Sequence, residues 1–259
     1  MKNFQFHRPK TVAEAVKILK GGEGTKALAG GQSLLPMLKL GLAQPSDLVS
    51  LAGIAELRSI RVDGKAVLVG ALATHEEVSR SNAIPGLATL ASGIGDAQVR
   101  NRGTIGGSIA HADPAADYPA ALVALGATVA TDRRRLPADS FFTGLFEVAL
   151  EPAELVTAVH FPVPDKCGYA KFAHRASKFA VVGVMVVRSK DGVRVAVTGA
   201  GPKVFRVPEM EAALGKKFAP EALDGITVAP GGLQSDSEAS AEYRAHLIGV
   251  MARRAVASA

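Results

Sequence analysis

Tryptophan is absent from this 259-residue chain, aromatic residues make up 5% of it, and cysteine occurs once, as Cys167. With so few rings, Val, Ile, Leu and Ala must fill the core. A lone cysteine excludes an internal disulfide and a four-cysteine iron–sulfur site on this chain. No apolar run reaches the roughly 18 residues of a membrane span. The first residues, Met1 to Pro9, lack the apolar stretch and small-residue cleavage site of a signal peptide. A soluble cytoplasmic protein with no transmembrane segment is the expectation. There is no Walker A sequence and no H-x-x-x-H, and the six histidines form no cluster with Cys, Asp or Glu at metal-ligand spacing. Ser33 and Ser108 lack a G-x-S-x-G context. P-loop, metal-centred and serine-hydrolase chemistry therefore have no support, and neither a metal ligand nor a catalytic side chain is assigned.

The net charge is +6, but the basic residues are scattered. Their single run, Arg133-Arg134-Arg135, is followed by Leu136-Pro137 and reads as a solvated loop, so no nucleic-acid partner is expected. Thr11-Val12-Ala13-Glu14 reads as a capping box opening a helix with the apolar stripe Val12, Ala15, Val16 and Leu19, which ends at Gly21-Gly22. Lys26 to Ala29 reads as a strand, Val67 to Leu72 as another, and Thr74-His75-Glu76-Glu77 as the cap of the next helix. Pro85 to Ile94 reads as helical. Asp113-Pro114 has the form of an N-cap with proline at the first helical position, opening a helix to about Leu125. Leu155 to Phe161 reads as a strand, and Pro162-Val163-Pro164 behind it as a domain boundary. Beyond it, Phe179 to Val187 and Val193 to Thr198 flank Lys190-Asp191-Gly192, a hairpin signal. Helices are expected near Pro208 to Leu214 and Ala239 to Val256. Strand and helix alternate through the first part of the chain, an α/β pattern.

Two glycine-rich segments stand out: Ala29-Gly30-Gly31-Gln32-Ser33 and Thr104-Ile105-Gly106-Gly107-Ser108. Each places residues without bulk in succession, where backbone N–H groups can approach an anion closely. A pair of them suggests a clamp on a diphosphate. Gly22-Glu23-Gly24-Thr25-Lys26-Ala27 formally satisfies the dinucleotide fingerprint G-x-G-x-x-A. That fingerprint lies between a strand and a helix, whereas here helix precedes and strand follows, so the match is chance.

The wider contexts, Lys26 to Pro36 and Val99-Arg100-Asn101-Arg102-Gly103-Thr104-Ile105-Gly106-Gly107-Ser108-Ile109-Ala110-His111-Ala112-Asp113-Pro114, resemble the FAD-binding (medium) subunits of the molybdenum hydroxylases. That family includes aerobic carbon monoxide dehydrogenase and xanthine dehydrogenase. The likeness extends over essentially the whole chain and includes Ala239-Ser240-Ala241-Glu242-Tyr243-Arg244 in the closing segment. One departure is Gly41, where many relatives carry arginine.

The resemblance implies an α+β fold: a two-subdomain α/β FAD-binding unit of the vanillyl-alcohol-oxidase (PCMH) type over residues 1–164, divided near 55, and a C-terminal domain of antiparallel sheet and helices over 165–259. It implies noncovalent FAD with its diphosphate and ribityl chain between Ala27, Leu28, Ala29, Gly30, Gly31, Gln32, Ser33 and Leu34 on one side and Thr104, Ile105, Gly106, Gly107 and Ser108 on the other. Gly95 matches a position close to the cofactor, Asp117 one that accepts hydrogen bonds from its polar chain, and Val156 and Lys178 positions near the isoalloxazine ring. It further implies a small subunit with two [2Fe–2S] clusters, a large molybdenum-cofactor subunit, and a dimer of heterotrimers. Alternatives of other classes are a non-catalytic scaffold and a stand-alone flavin reductase such as an enolpyruvyl-sugar reductase.

Overall fold

The computed structural model describes residues 3–22 and 24–259; Met1 and Lys2, in the start read for a signal peptide, and Glu23, in the chance fingerprint, lie outside the described residues. Strands Gln5–His7, Asp47–Ser50 and Thr25–Leu28 form a parallel sheet in that spatial order. Parallel strands need a crossover, and helix Val12–Lys20 supplies the one from Gln5–His7 to Thr25–Leu28, at the two edges of the sheet, burying Ala15 and Val16 against Val49, Ile54 and Leu57. Thr11 caps it, accepting the Glu14 N–H at 3.2 Å. The Glu14 carboxylate takes the Lys10 N–H at 2.7 Å instead of that of Thr11, so this box is only half closed. At Thr74 and Glu77, ahead of helix His75–Ser79, both halves are made.

An unforeseen helix, Leu34–Lys39, follows the first glycine segment. It ends on Gly41, which has φ 73°, with the Gly41 N–H on the Leu38 carbonyl at 3.2 Å and the Leu42 N–H on the Met37 carbonyl at 2.9 Å. This is a Schellman motif, whose left-handed residue favours glycine. The departure from the family pattern thus has a local reason.

The second sheet has five strands in the order Ile60–Asp63, Ala66–Gly70, Val156–Pro162, Thr128–Thr131, Arg135–Pro137, and is antiparallel throughout. Strand and helix alternation therefore gives a parallel sheet only in the first 50 residues. Val159 sits opposite both Val69 and Val129, and helices Pro85–Ser92 and Tyr118–Ala124 join the same core.

The third sheet, Lys166–Ala173, Ala180–Ser189, Gly192–Thr198 and Phe205–Arg206, is antiparallel. Its second strand is apolar along most of its length because both faces are covered. Val182, Val184 and Val186 meet helices Pro208–Lys216 and Ala241–Ala257, while Met185 and Val187 join the core of the second sheet.

One helix start is corrected. The helix expected from Asp113 begins at Tyr118. The Asp113 carboxylate caps only a turn, accepting the Ala115 N–H at 2.8 Å. The carbonyls that would start the helix are held by the third sheet instead: Pro114 by the Gly199 N–H at 2.8 Å, Ala115 by the Ala180 N–H at 3.1 Å, and Ala116 by the Thr198 hydroxyl at 2.6 Å.

Candidate functional site

A cleft of about 530 Å³ opens between the two glycine segments, with the Asp117 turn and, from the C-terminal part, Ser177 and Phe179 in the turn between the first two strands of the third sheet in its lining. The two segments contribute differently. Between strand Thr25–Leu28 and helix Leu34–Lys39, the backbone N–H groups of Gly30, Gly31, Gln32, Ser33 and Leu34 have no acceptor among the described residues. N–H groups at a cleft wall that no protein acceptor occupies are available as donors to an anion. The second segment is an N-cap, Thr104, and the first turn of helix Ile105–His111 rather than a loop; its N–H groups from Ile105 to Ser108 are taken, and only that of Thr104 has no acceptor among the described residues. Ile105 donates to the Ala73 carbonyl, Gly106 to Ala71, Gly107 to the Thr104 hydroxyl at 3.2 Å and Ser108 to the Thr104 carbonyl.

The second segment supplies shape. A methyl group on Gly30 would overlap the Arg102 carbonyl, so the first loop touches the chain ahead of the second segment backbone to backbone. A Cβ at Gly107 would lie 2.9 Å from the Thr104 hydroxyl and 3.5 Å from the Ala29 Cβ. Glycine at both positions keeps the two walls close and the space between them open.

Asp117 lines the cleft and is 3% exposed. Its Oδ1 accepts the Tyr169 hydroxyl at 2.6 Å and faces the Lys171 ammonium at 2.8 Å; Oδ2 has no side-chain donor among the described residues. Tyr169 and Lys171, two apart on strand Lys166–Ala173, share a face and reach from the C-terminal sheet. Burial pushes the Asp117 carboxyl above its ordinary range, against the pull of Lys171 and Tyr169. The Lys171 ammonium also binds the Gly93 and Lys178 carbonyls, each at 2.8 Å.

Two further groups at the wall went unnoticed in the sequence. His75, 5% exposed, lies 3.3 Å through Nδ1 from the Tyr118 hydroxyl, and its N–H holds the Gly103 carbonyl at 3.0 Å. Burial, and then the Arg100 charge, lower its pKa to about 4, so it faces the cleft as neutral imidazole. Glu154 also lines the cleft and binds Arg134 through Nε at 3.0 Å and Nη2 at 2.9 Å. This pairing, with help from the Glu151 N–H and the Thr131 hydroxyl, holds its carboxyl at about 2. The arginine run is thus partly an internal anchor: Arg133 pairs with Asp132 and Glu151, and Arg135 begins a strand.

Residues 2–164 match the family described as FAD binding domain in molybdopterin dehydrogenase, and residues 168–259 match the CO dehydrogenase flavoprotein C-terminal domain. The chain belongs to the FAD-binding medium subunits of the molybdenum hydroxylases. It is similar to the carbon monoxide dehydrogenase medium chain of Hydrogenophaga pseudoflava, 37% identical over 277 residues, covering 99% of this chain and 96% of the relative. The nicotine 6-hydroxylase medium subunit of Paenarthrobacter nicotinovorans is 35% identical, covering 98% and 96%. Among solved structures, the Hydrogenophaga carbon monoxide dehydrogenase superposes with a TM-score of 0.89 at 37% identity over 100% of this chain and 97% of that one. Quinoline 2-oxidoreductase from Pseudomonas putida 86 does so with 0.89 at 28% identity, over 99% and 97%.

The medium subunit is a flavoprotein component of an oxidoreductase, with FAD as its cofactor. The cleft fits that group: N–H donors for a diphosphate, a backbone wall without side chains at Gly107, and the Asp117 carboxylate in the lining as an acceptor for a hydroxyl. Of the residues singled out in the sequence, the cleft brings together Ala27 to Leu34, Gly95, Thr104, Gly106, Gly107, Ser108, Asp117 and Val156. Ile105 is fully buried in the main core beneath the wall. The Lys178 side chain is exposed: with φ 64° at this residue, its neighbours Ser177 and Phe179 line the cleft and its own side chain does not. Among the described residues no helix is long and apolar enough to cross a membrane.

Proposed function

We propose that this chain holds one FAD noncovalently in the cleft and serves as the electron outlet of a three-component molybdenum hydroxylase in the cytoplasm. It receives electrons from the [2Fe–2S] clusters of a small subunit, supplied in turn by a large molybdenum-cofactor subunit, and passes them to an external acceptor. The complex is a dimer of heterotrimers. The observation that carries this reading is that the residues Gly30 to Leu34, whose N–H groups have no acceptor among the described residues, and Gly107 line one cleft. The names of the relatives, medium chain and medium subunit, support the assembly. So does cysteine count: two [2Fe–2S] clusters need about eight protein ligands, and this chain has one buried thiol, Cys167.

The bound flavin supplies the conversion between single-electron arrival and two-electron departure. The residues here bind and orient. The first-loop N–H groups hold the diphosphate, each charge-assisted bond contributing roughly 1.5–3 kcal/mol. Thr104 to Ser108 shape the opposite wall, Asp117 would accept a hydroxyl of the cofactor, Gly95 would lie close to it, and Val156 and the loop bearing Lys178 would border the ring end. We place the domain boundary at 164/165 and the subdomain division near 55; the three larger sheets, drawn from 5–50, 60–162 and 166–206, support this division.

The test is to purify the full chain, load it with FAD and precipitate it with acid. The flavin is expected in the supernatant, the loaded chain should show no iron–sulfur bands, and substrate should reduce its flavin only after both other subunits are added. Flavin left on the precipitate, or reduction of the isolated chain by the substrate, would contradict the proposal.

A further inference from the structure

One rim of the cleft comes from the C-terminal domain. Between strands Lys166–Ala173 and Ala180–Ser189 the chain turns over residues 174–179, and Ser177 and Phe179 line the cleft. The turn is closed by the His174 N–H on the Phe179 carbonyl at 2.8 Å and the Lys178 N–H on the His174 carbonyl at 3.0 Å. This geometry leaves the N–H groups of Ala176 and Ser177 inside the turn without a carbonyl. The His174 side chain takes both: Nδ1 lies 3.2 Å from the Ala176 nitrogen and 3.1 Å from that of Ser177, with the Ser177 hydroxyl also at 3.1 Å.

A ring nitrogen that accepts two amide hydrogens carries no proton. The ring proton is therefore on Nε2, which faces Glu238 Oε2 at 3.3 Å. The imidazole acts here as an aspartate or asparagine does in an Asx turn, accepting from the backbone two and three residues ahead. Glu238 is itself anchored. The Asp236 carboxylate accepts the N–H groups of Glu238 and Ala239 and the Arg244 guanidinium at 2.6 Å, and Arg244 is buried on the closing helix, Ala241–Ala257. A continuous set of contacts runs from that helix through Asp236, Glu238 and His174 to the loop tip at the cleft.

The geometry points to His174 as a positioning residue for the cofactor cleft: its unprotonated Nδ1 pre-forms the loop that presents Ser177 and Phe179 to the FAD. This rests on the reading of the cleft as the FAD site. A loop already in its bound shape adds no ordering penalty to binding, whereas one that must be ordered subtracts from affinity. His174 does not line the cleft, so its effect passes through the loop.

The test compares the full-length wild type with His174→Ala, His174→Asn and Glu238→Gln, by FAD titration and by visible circular dichroism of the bound flavin. His174→Ala is expected to bind FAD roughly tenfold more weakly, the scale of one lost hydrogen bond, with an altered flavin signal. His174→Asn, whose Oδ1 can accept the same N–H pair, is expected to restore both. Glu238→Gln leaves Nδ1 in place and should stay close to wild type. Wild-type affinity and signal in His174→Ala would overturn the inference while leaving the cleft reading standing. Failure of asparagine to rescue would overturn the acceptor role. No FAD binding by the wild type would overturn the cleft reading and this inference together. Amide exchange on the cofactor-free wild type tests the same point without a variant: Ala176 and Ser177 should be protected, and exchange at open-coil rates would refute the pre-formed turn.

Discussion

Replacing Asp117 should affect stability and cofactor affinity through different atoms, and the two effects can be separated. Its carboxylate and the Lys171 ammonium form a pair with side chains 3% and 9% exposed. Removing one partner of a buried pair costs about 3–5 kcal/mol, because the other is left as an uncompensated charge. Lys171 keeps the Gly93 and Lys178 carbonyls, which places Asp117→Ala at the lower end, about 3 kcal/mol. For a chain of this length that is a fall in Tm of roughly 6–12 °C. Asp117→Asn retains an acceptor for Tyr169 and should fall between. The double variant Asp117→Ala/Lys171→Met removes both charges and should recover most of the lost stability. FAD affinity should behave otherwise: if Oδ2 accepts a cofactor hydroxyl, both alanine variants lose about 1–3 kcal/mol of binding, and the double variant does not regain it. Thermal melts and FAD titration on the same four proteins decide the matter. Recovery of affinity together with stability in the double variant would show that Asp117 acts only through Lys171. An unchanged melt for Asp117→Ala would refute the energetic argument for the pair.

Gly30→Ala forces a methyl group onto the Arg102 backbone, which cannot swing aside, and Gly107→Val adds bulk between the Thr104 cap and Ala29; both should weaken FAD binding tenfold or more, ~1.4 kcal/mol, with far-UV circular dichroism unchanged, and undiminished affinity would show that the loops need no such closeness. His75 predicts a pH effect on stability. Its folded pKa of about 4 lies below the ordinary histidine value, so the unfolded chain takes up the proton first; stability is fully present above about pH 6.5 and declines by up to about 3 kcal/mol as pH falls toward 4. Urea unfolding at pH 7, 6 and 5 should show this slope in wild type and a shallower one in His75→Leu; equal slopes would count against a buried neutral imidazole.

Features set by neighbouring residues were legible in the sequence. The Thr74–Glu77 box, the hairpin at Gly192 and the two glycine segments depend on turn and cap chemistry within a few positions. Phe179 to Val187 read as one strand of that hairpin, and the strand found is Ala180–Ser189. What was missed depends on contacts between distant residues. Tyr169 meets Asp117 across 52 positions and His75 meets Tyr118 across 43, and no local pattern marks either pair. Asp113-Pro114 had every mark of a helix start, but the carbonyls of Pro114, Ala115 and Ala116 pair with a sheet more than 60 residues away. The resemblance pointed to Lys178 near the ring, whereas the ammonium that reaches Asp117 belongs to Lys171, seven positions earlier, and the Lys178 carbonyl is one of its acceptors.

Those distant contacts explain why the cleft is a product of both domains. The first glycine loop brings donors, and the second segment, its N–H groups from Ile105 to Ser108 already spent on Ala71, Ala73 and Thr104, brings a wall. Neither sets the place of Asp117. That residue stands where it does because the turn ahead of it is hydrogen-bonded to Ala180, Thr198 and Gly199, and because its Oδ1 is fixed by Tyr169 and Lys171. All five belong to the third sheet or its immediate end. The C-terminal domain therefore fixes the orientation of a carboxylate carried by the N-terminal one, and through Ser177 and Phe179 it also borders the same space. A cofactor seated between the glycine segments would be held by one domain and aligned by the other.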